Sequence, residues 1–170
     1  MKSLVTALGL ISLIVVAAGG RAADREAEVA KYVKDLKSTS AKTRATAADE
    51  IGKIGQIKAS YARAALEPLL DVLKDKDASV RQAAATALAR IDEPKEVVPA
   101  LETLLKGDKE PRVRAAAAAG LGLMGEASKE ALPTLHKVAQ ESRTMGKAAQ
   151  PLAQACTRAI QQITGRTKQQ

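Results

Sequence analysis

The sequence predicts an all-α protein, an α-solenoid of about four helical hairpins stacked side by side. Three observations carry that expectation. One type of segment recurs along the chain, anchored on Arg44, Arg81 and Arg114 with spacings of 37 and 33 residues. Alanine supplies 35 of the 170 residues, while β-branched and aromatic side chains are too sparse for a barrel or sandwich. Within each recurring segment the apolar positions follow a helical period, not an alternating one.

The first two dozen residues obey different rules. Met1-Lys2 is a short basic start, Leu4 to Gly20 is a 17-residue uncharged run, and small residues lead into Arg21-Ala22-Ala23-Asp24. This is the layout of a secretory signal peptide. Cleavage after Ala22 puts Gly20 and Ala22 at the two small-residue positions. Residues 1–22 are therefore expected to be a signal peptide, 24–165 the repeat domain and 166–170 a polar tail. If the segment is not cleaved, it becomes a membrane anchor at the lower length limit for spanning.

Removal of the leader takes away Lys2 and Arg21, leaving 25 basic against 19 acidic residues, or +6. The expected location is secreted or periplasmic, which argues against nucleic acid as a partner. One cysteine per chain cannot form an internal bridge, so in an oxidising compartment stability must come from packing.

The repeat units come next. The first runs from Thr43-Arg44 through Ile51, Ile54 and Gly55, the second from Val80 to Asp92, and the third from Val113 to Gly125. A fourth, Leu152 to Ile163, aligns with them but carries Ala153 where the others carry arginine; the last copy of a stacked array is often atypical. Val80, Ala83, Ala84, Ala87, Leu88 and Ile91 form an apolar stripe at helical spacing. Ahead of each such helix lies another amphipathic one, over 28–36, 59–73, 96–105 and 129–139. Three of these contain a proline, Pro68, Pro99 or Pro133, which kinks a helix or marks its first turn. Gly55, Gly107 and Gly125, with Asp75-Lys76-Asp77, are expected to supply stops and starts. A single hairpin cannot bury its apolar stripe, but a stack can. Alanines on the second helices allow close approach, so a core without Phe or Trp can still fill.

The string Pro68-Leu69-Leu70, Leu73, Asp77-Ala78-Ser79-Val80-Arg81, Ala83-Ala84, Ala87-Leu88 and Ile91 resembles HEAT repeats, particularly the short bacterial type also found in phycobilin lyases. The segment around Arg114 matches almost as well, and the resemblance spans roughly 28–164. It implies a structural ladder of Asp and Arg between successive repeats, made of Arg44, Asp77, Arg81 and Arg114. It also implies that the second helices line the concave side. The positions then exposed there include Asp49, Lys53, Gln82, Thr86, Arg90, Ala115, Ala119, Leu123, Gln154 and Arg158, together with Ala45, Ala48, Ala85, Ala118, Thr157 and Gln162. This groove is small-sided and nearly neutral, with an apolar patch at Leu123, and suits an apolar peptide or helix of another protein better than a polyanion.

No catalytic constellation, metal site or cofactor site is expected. Cys156 aligns with Ala47, Ala84 and Ala117 on the core stripe, where a thiol is inert. His136 has no second histidine and no cysteine nearby to build a metal centre or a nucleophile–base pair. Asp71, Asp75, Asp77, Asp108 and Glu110 sit at helix ends and turns, where capping comes first. Lys31, Lys34, Lys37 and Lys42 form the densest basic stretch, but without interleaved aromatics they give no platform for single-stranded nucleic acid.

The function expected is an exported, non-catalytic module that binds or scaffolds another protein through the concave face. One alternative is bilin lyase-like or enzyme-associated work, which the resemblance allows but for which candidate residues are nearly lacking. Another is attachment to anionic cell-envelope surfaces through the net positive charge, an attraction that salt would screen. A membrane partner enters only if the leader is retained.

Overall fold

Helix starts are written into the sequence by caps and prolines. Ser40 accepts the Thr43 N–H and opens the helix beginning at Ala41, and Asp77 accepts the Ser79 N–H and opens the one beginning at Ala78. Pro94 and Pro111 occupy the first positions of the helices they open, where a missing N–H costs nothing. In a computed structural model, which describes residues 23–91 and 93–165, the elements are α1 (23–35), α2 (Ala41–Ile57), α3 (Ala59–Ala62), α4 (Leu66–Val72), α5 (Ala78–Leu88), α6 (Pro94–Gly107), α7 (Pro111–Leu123), α8 (Leu132–Thr144) and α9 (Gln150–Ile163). The expected signal peptide and polar tail lie outside the described residues.

The first helices of the hairpins are less regular than their periodicity predicts. The helix expected over 59–73 is broken into α3, a 3₁₀ turn at Arg63–Ala65, and α4. Pro68 explains the break: it has no N–H and its ring collides with the carbonyl four residues back, so a continuous helix through Ala64 is blocked. The break puts Pro68 in the first turn of α4. Pro133 and Pro151 sit likewise just inside α8 and α9, preceded by the 3₁₀ segments Gly125–Ala131 and Lys147–Ala149. Pro99 alone stays inside an unbroken helix, α6.

The helices pair as α4/α5, α6/α7 and α8/α9. The second helices form one layer in the order α2, α5, α7, α9, each against the next. Between the layers runs one continuous apolar core. Its largest fully buried side chains include Ile51, Leu69, Leu88, Leu101, Leu121, Leu135 and Leu152. Ile51, Leu88 and Leu121 each stand seven residues after their repeat's arginine, so the periodicity fixes the buried face.

Small residues set the spacing of the second-helix layer. A Cβ at Gly52 would lie 3.0 Å from the Ala87 Cα, and one at Gly122 would lie 2.9 Å from the Ala159 Cα. Gly55, expected as a helix stop, is instead buried inside α2, where a Cβ would be 3.2 Å from the Arg90 carbonyl oxygen. Gly125 does act as a stop, with φ of 56° just beyond α7. Gly122→Ala is accordingly expected to lower stability, because overpacking against a neighbouring backbone (about 1–3 kcal/mol) outweighs a helix-propensity gain of about 1 kcal/mol. Gly107→Ala, at the open end of α6 with nothing within 4 Å, should gain a few tenths to about 1 kcal/mol. Urea titration of the two variants checks both signs.

Candidate functional site

The turns between hairpins are tied by buried ion pairs. Arg44, in the first turn of α2, donates from Nε and Nη2 to the Asp75 carboxylate at 2.6 and 2.8 Å. Its Nη1 donates to the Ser38 and Thr39 carbonyls. One repeat later Arg81 repeats the pattern, with Nε and Nη2 on Asp108 at 2.6 and 2.9 Å and Nη1 on the Asp75 and Lys76 carbonyls. Each carboxylate is a tight-turn residue that also accepts a backbone N–H two residues on, from Asp77 or Glu110. The planar fork of arginine matches this two-point geometry.

Two ladder assignments need correction. Asp77 is not a rung. Its carboxylate accepts from the Ser79 N–H and Oγ–H and caps α5. The rung is Asp75, six residues before Arg81, and it reaches back to the arginine of the previous repeat. Arg114 donates from Nε to the Leu105 carbonyl at 2.8 Å and meets no carboxylate among the described residues. The place six residues before Ala153, equivalent to Asp75 and Asp108, is filled by Lys147.

The ladder has an electrostatic signature. The Arg44 hydrogen bonds hold the Asp75 carboxyl below the usual carboxylate range. Burial pushes Asp108 up, yet the Arg81 guanidinium and the Glu110 N–H more than compensate, so it too lies low. Groups depressed in the folded state stabilise it fully above their unfolded value, about 3.9, and lose that contribution as pH falls through their folded values. Thermal stability is expected to hold from neutral pH to about 5 and to fall below about 4. In a D75N/D108N double variant the acid slope should flatten, which calorimetry across that range would show.

The outward face of the second-helix layer is a second feature. Asp49 and Lys53 on α2, Gln82 and Thr86 on α5 with Arg90 two residues beyond its end, Ala115, Ala119 and Leu123 on α7, and Gln154 and Arg158 on α9 are all partly or fully exposed. Ala48, Ala85 and Ala118, expected on the same face, are buried instead. They lie on the edge of each helix that meets the next one: a Cβ at Gly120 of α7 would sit 3.5 Å from the Ala85 carbonyl oxygen. At α9 that edge carries Thr157 and Gln161, which with Arg143, Gln154 and Arg158 line a polar groove of about 460 Å³. At α2 the opposite edge carries Glu50, paired with Lys53 at 2.6 Å, where α5 and α7 present Ala87 and Gly120. The outer edges of the layer are thus polar and its seams small and apolar.

The chain matches the family model for HEAT repeats over residues 29–106 and 66–153. The chain belongs to the HEAT repeat family. Among solved structures, these HEAT repeats are similar to two engineered proteins whose crystal structures come from the Northeast Structural Genomics Consortium. One is 28% identical with a TM-score of 0.59, and 79% of this chain matches 63% of it. The other is 27% identical with a TM-score of 0.61, and 79% of this chain matches 62% of it. The HEAT protein therefore spans less than two thirds of the length of either. No curated protein matches it.

Cys156 is fully buried on the core stripe of the HEAT array with Ala47, Ala84 and Ala117. Burial pushes its thiol up to about 11, so it stays protonated at neutral pH. His136 is exposed on α8. Among the described residues no group of three metal-ligating side chains converges, and no helix is long and apolar enough to cross a membrane.

Proposed function

We propose that this HEAT protein is exported and serves as a non-catalytic module that holds another protein across the open face of α2, α5, α7 and α9. The observation that carries the reading is Leu123, 60% exposed on α7 within a row of small alanines. The other leucine of α7, Leu121, is fully buried, so Leu123 remains for a partner. HEAT stacks offer extended surfaces of this kind for protein binding. The protonated, buried thiol of Cys156 supports a role without covalent chemistry.

The export half of the reading rests on the leader pattern of residues 1–22, and the mature chain then begins at Ala23. Mass spectrometry of the protein recovered from the extracytoplasmic fraction tests it; a chain still starting at Met1 contradicts it. For binding, a photoreactive residue at Ala119 should give a discrete protein adduct in intact cells, and one at Lys137 on α8 should not. No adduct from Ala119, or equal adducts from both sites, defeats the reading.

A further inference from the structure

The positive charge of the chain is concentrated late in the sequence. Residues 23–141 hold 20 basic against 19 acidic side chains, whereas 142–170 hold five basic ones and no Asp or Glu. Arg143, Lys147 and Arg158 are exposed, and none of the ion pairs among the described residues includes them.

Arg143 and Arg158 border one groove, the polar one of about 460 Å³ on the free edge of α9. A hydrogen bond from Arg143 Nη2 to Thr157 Oγ1, at 3.2 Å, ties the α8 arginine to that edge. In the inner copies the same edge packs on the next second helix through Gly52 and Gly122. Gln161 stands at that register on α9, too large for a second copy to continue the close stack.

No carboxylate lines the groove. α7 and α9 have none, Glu126 ahead of α8 is paired with Lys129, and Glu130 and Glu141 lie outside the lining. Outside the described residues only Asp92 is acidic, and it follows α5, with α7 between α5 and α9. The dipoles of α8, ending at Thr144, and α9, beginning at Gln150, meet here with opposite signs, so the side chains set the potential. Guanidinium groups select carboxylates or phosphates, and side-chain amides match the peptide group donor for acceptor. Bases and sugar rings pack on aromatic faces, and the two tyrosines lie far back in the chain, on α1 and α3. Of the exposed large apolar side chains only Met145 is at this end, too little to hold a bilayer.

We infer that the free edge of α9 binds an extended acidic segment of another polypeptide, its carboxylates on Arg143 and Arg158 and its backbone on the Gln154 and Gln161 amides. From Gln150 to Gln161 the helix runs about 16 Å, the length of about five extended residues. The site goes beyond the open-face reading, because it does not involve Leu123.

The test uses the whole mature chain and a fluorescent peptide of about eight residues, alternating Glu and Thr, whose carboxylates share one side when it is extended. Saturable binding is expected, and Gln in place of Glu should weaken it about tenfold or more. R143Q/R158Q should weaken it about tenfold or more, whereas K34Q/K95Q, which removes equal charge from exposed positions on α1 and α6, should change it by less than about twofold. Q154A/Q161A should weaken it about threefold to tenfold, and Leu123→Ala should leave it unchanged. All these positions are exposed, so the variants keep the fold, which unchanged melting curves confirm.

Equal losses from the two charge variants would reduce the effect to net charge and overturn the inference. So would equal binding of the Glu and Gln peptides, no saturation by millimolar peptide, or a loss with Leu123→Ala. Tighter Arg143-dependent binding of phosphatidylglycerol vesicles or of alginate would overturn it in favour of a lipid surface or an acidic polysaccharide. The open-face reading fails separately: no cross-link from Ala119 defeats that reading and leaves the peptide site standing.

Discussion

Asp108→Ala is expected to destabilise the protein by about 3–5 kcal/mol, because it leaves the Arg81 guanidinium charged, buried and without its carboxylate. For a chain of this size that corresponds to a melting point lower by roughly 6–20 °C. Both side chains of the pair are under one tenth exposed, so water cannot replace the lost partner. The Glu110 N–H loses its acceptor as well, and with it the turn that sets α7 beside α5. The loss measures an unpaired charge more than the worth of the pair. Replacing both partners together, as in R81M/D108L, should recover most of the stability. Calorimetry of the single and double variants separates the two contributions. A single variant that melts within about 1 °C of the parent would mean that the rung does not hold the repeats.

The helices, their register and the buried stripe were legible because one physical rule governs them. Val80, Ala84, Leu88 and Ile91 recur with a helical period, and the core takes whatever lies on that side. Cys156 was readable for the same reason, since its register mates are alanines. The acidic rungs were harder. Asp77 stands four residues before Arg81, the spacing of neighbours on one helix, but the rung joins different repeats. Its signal is an acid six residues before Arg81 and Arg114, at Asp75 and Asp108, paired with the arginine 31 or 27 residues upstream. Only the geometry of the stack brings those residues together.

The open face was legible in part for a related reason. Helical periodicity separates a core side from a solvent side, which places Gln82, Thr86, Arg90 and Leu123 outward. It does not show that a helix in the middle of a layer has two further buried edges. Ala48, Ala85 and Ala118 lie on one of those edges, and Gly52, Gly120 and Gly122 mark where backbones meet. Runs of alanine hide this distinction, since alanine fits an edge and a surface equally well. The polar substitutions at the layer's two outer edges, Glu50 on α2 and Thr157 and Gln161 on α9, are the readable sign. They stand where the inner copies carry Ala or Gly.

Leu88→Ala tests whether the buried face is assigned correctly, and its expected cost is about 2–5 kcal/mol. Leu88 is fully buried in α5, a helix with α2 on one side, α7 on the other and α4 beneath. Three neighbours cannot all move inward without opening seams set by Gly52 and Gly120, so the space left by the lost methyl groups persists as a cavity. Leu123→Ala, the same chemical change on the open face, should alter stability by no more than about 0.5 kcal/mol. Chemical denaturation of both variants decides the matter by their difference. A Leu123 variant as unstable as the Leu88 variant would put Leu123 in the core and remove it from the open face. A Leu88 variant as stable as the parent would mean that α5 turns a different side toward its neighbours.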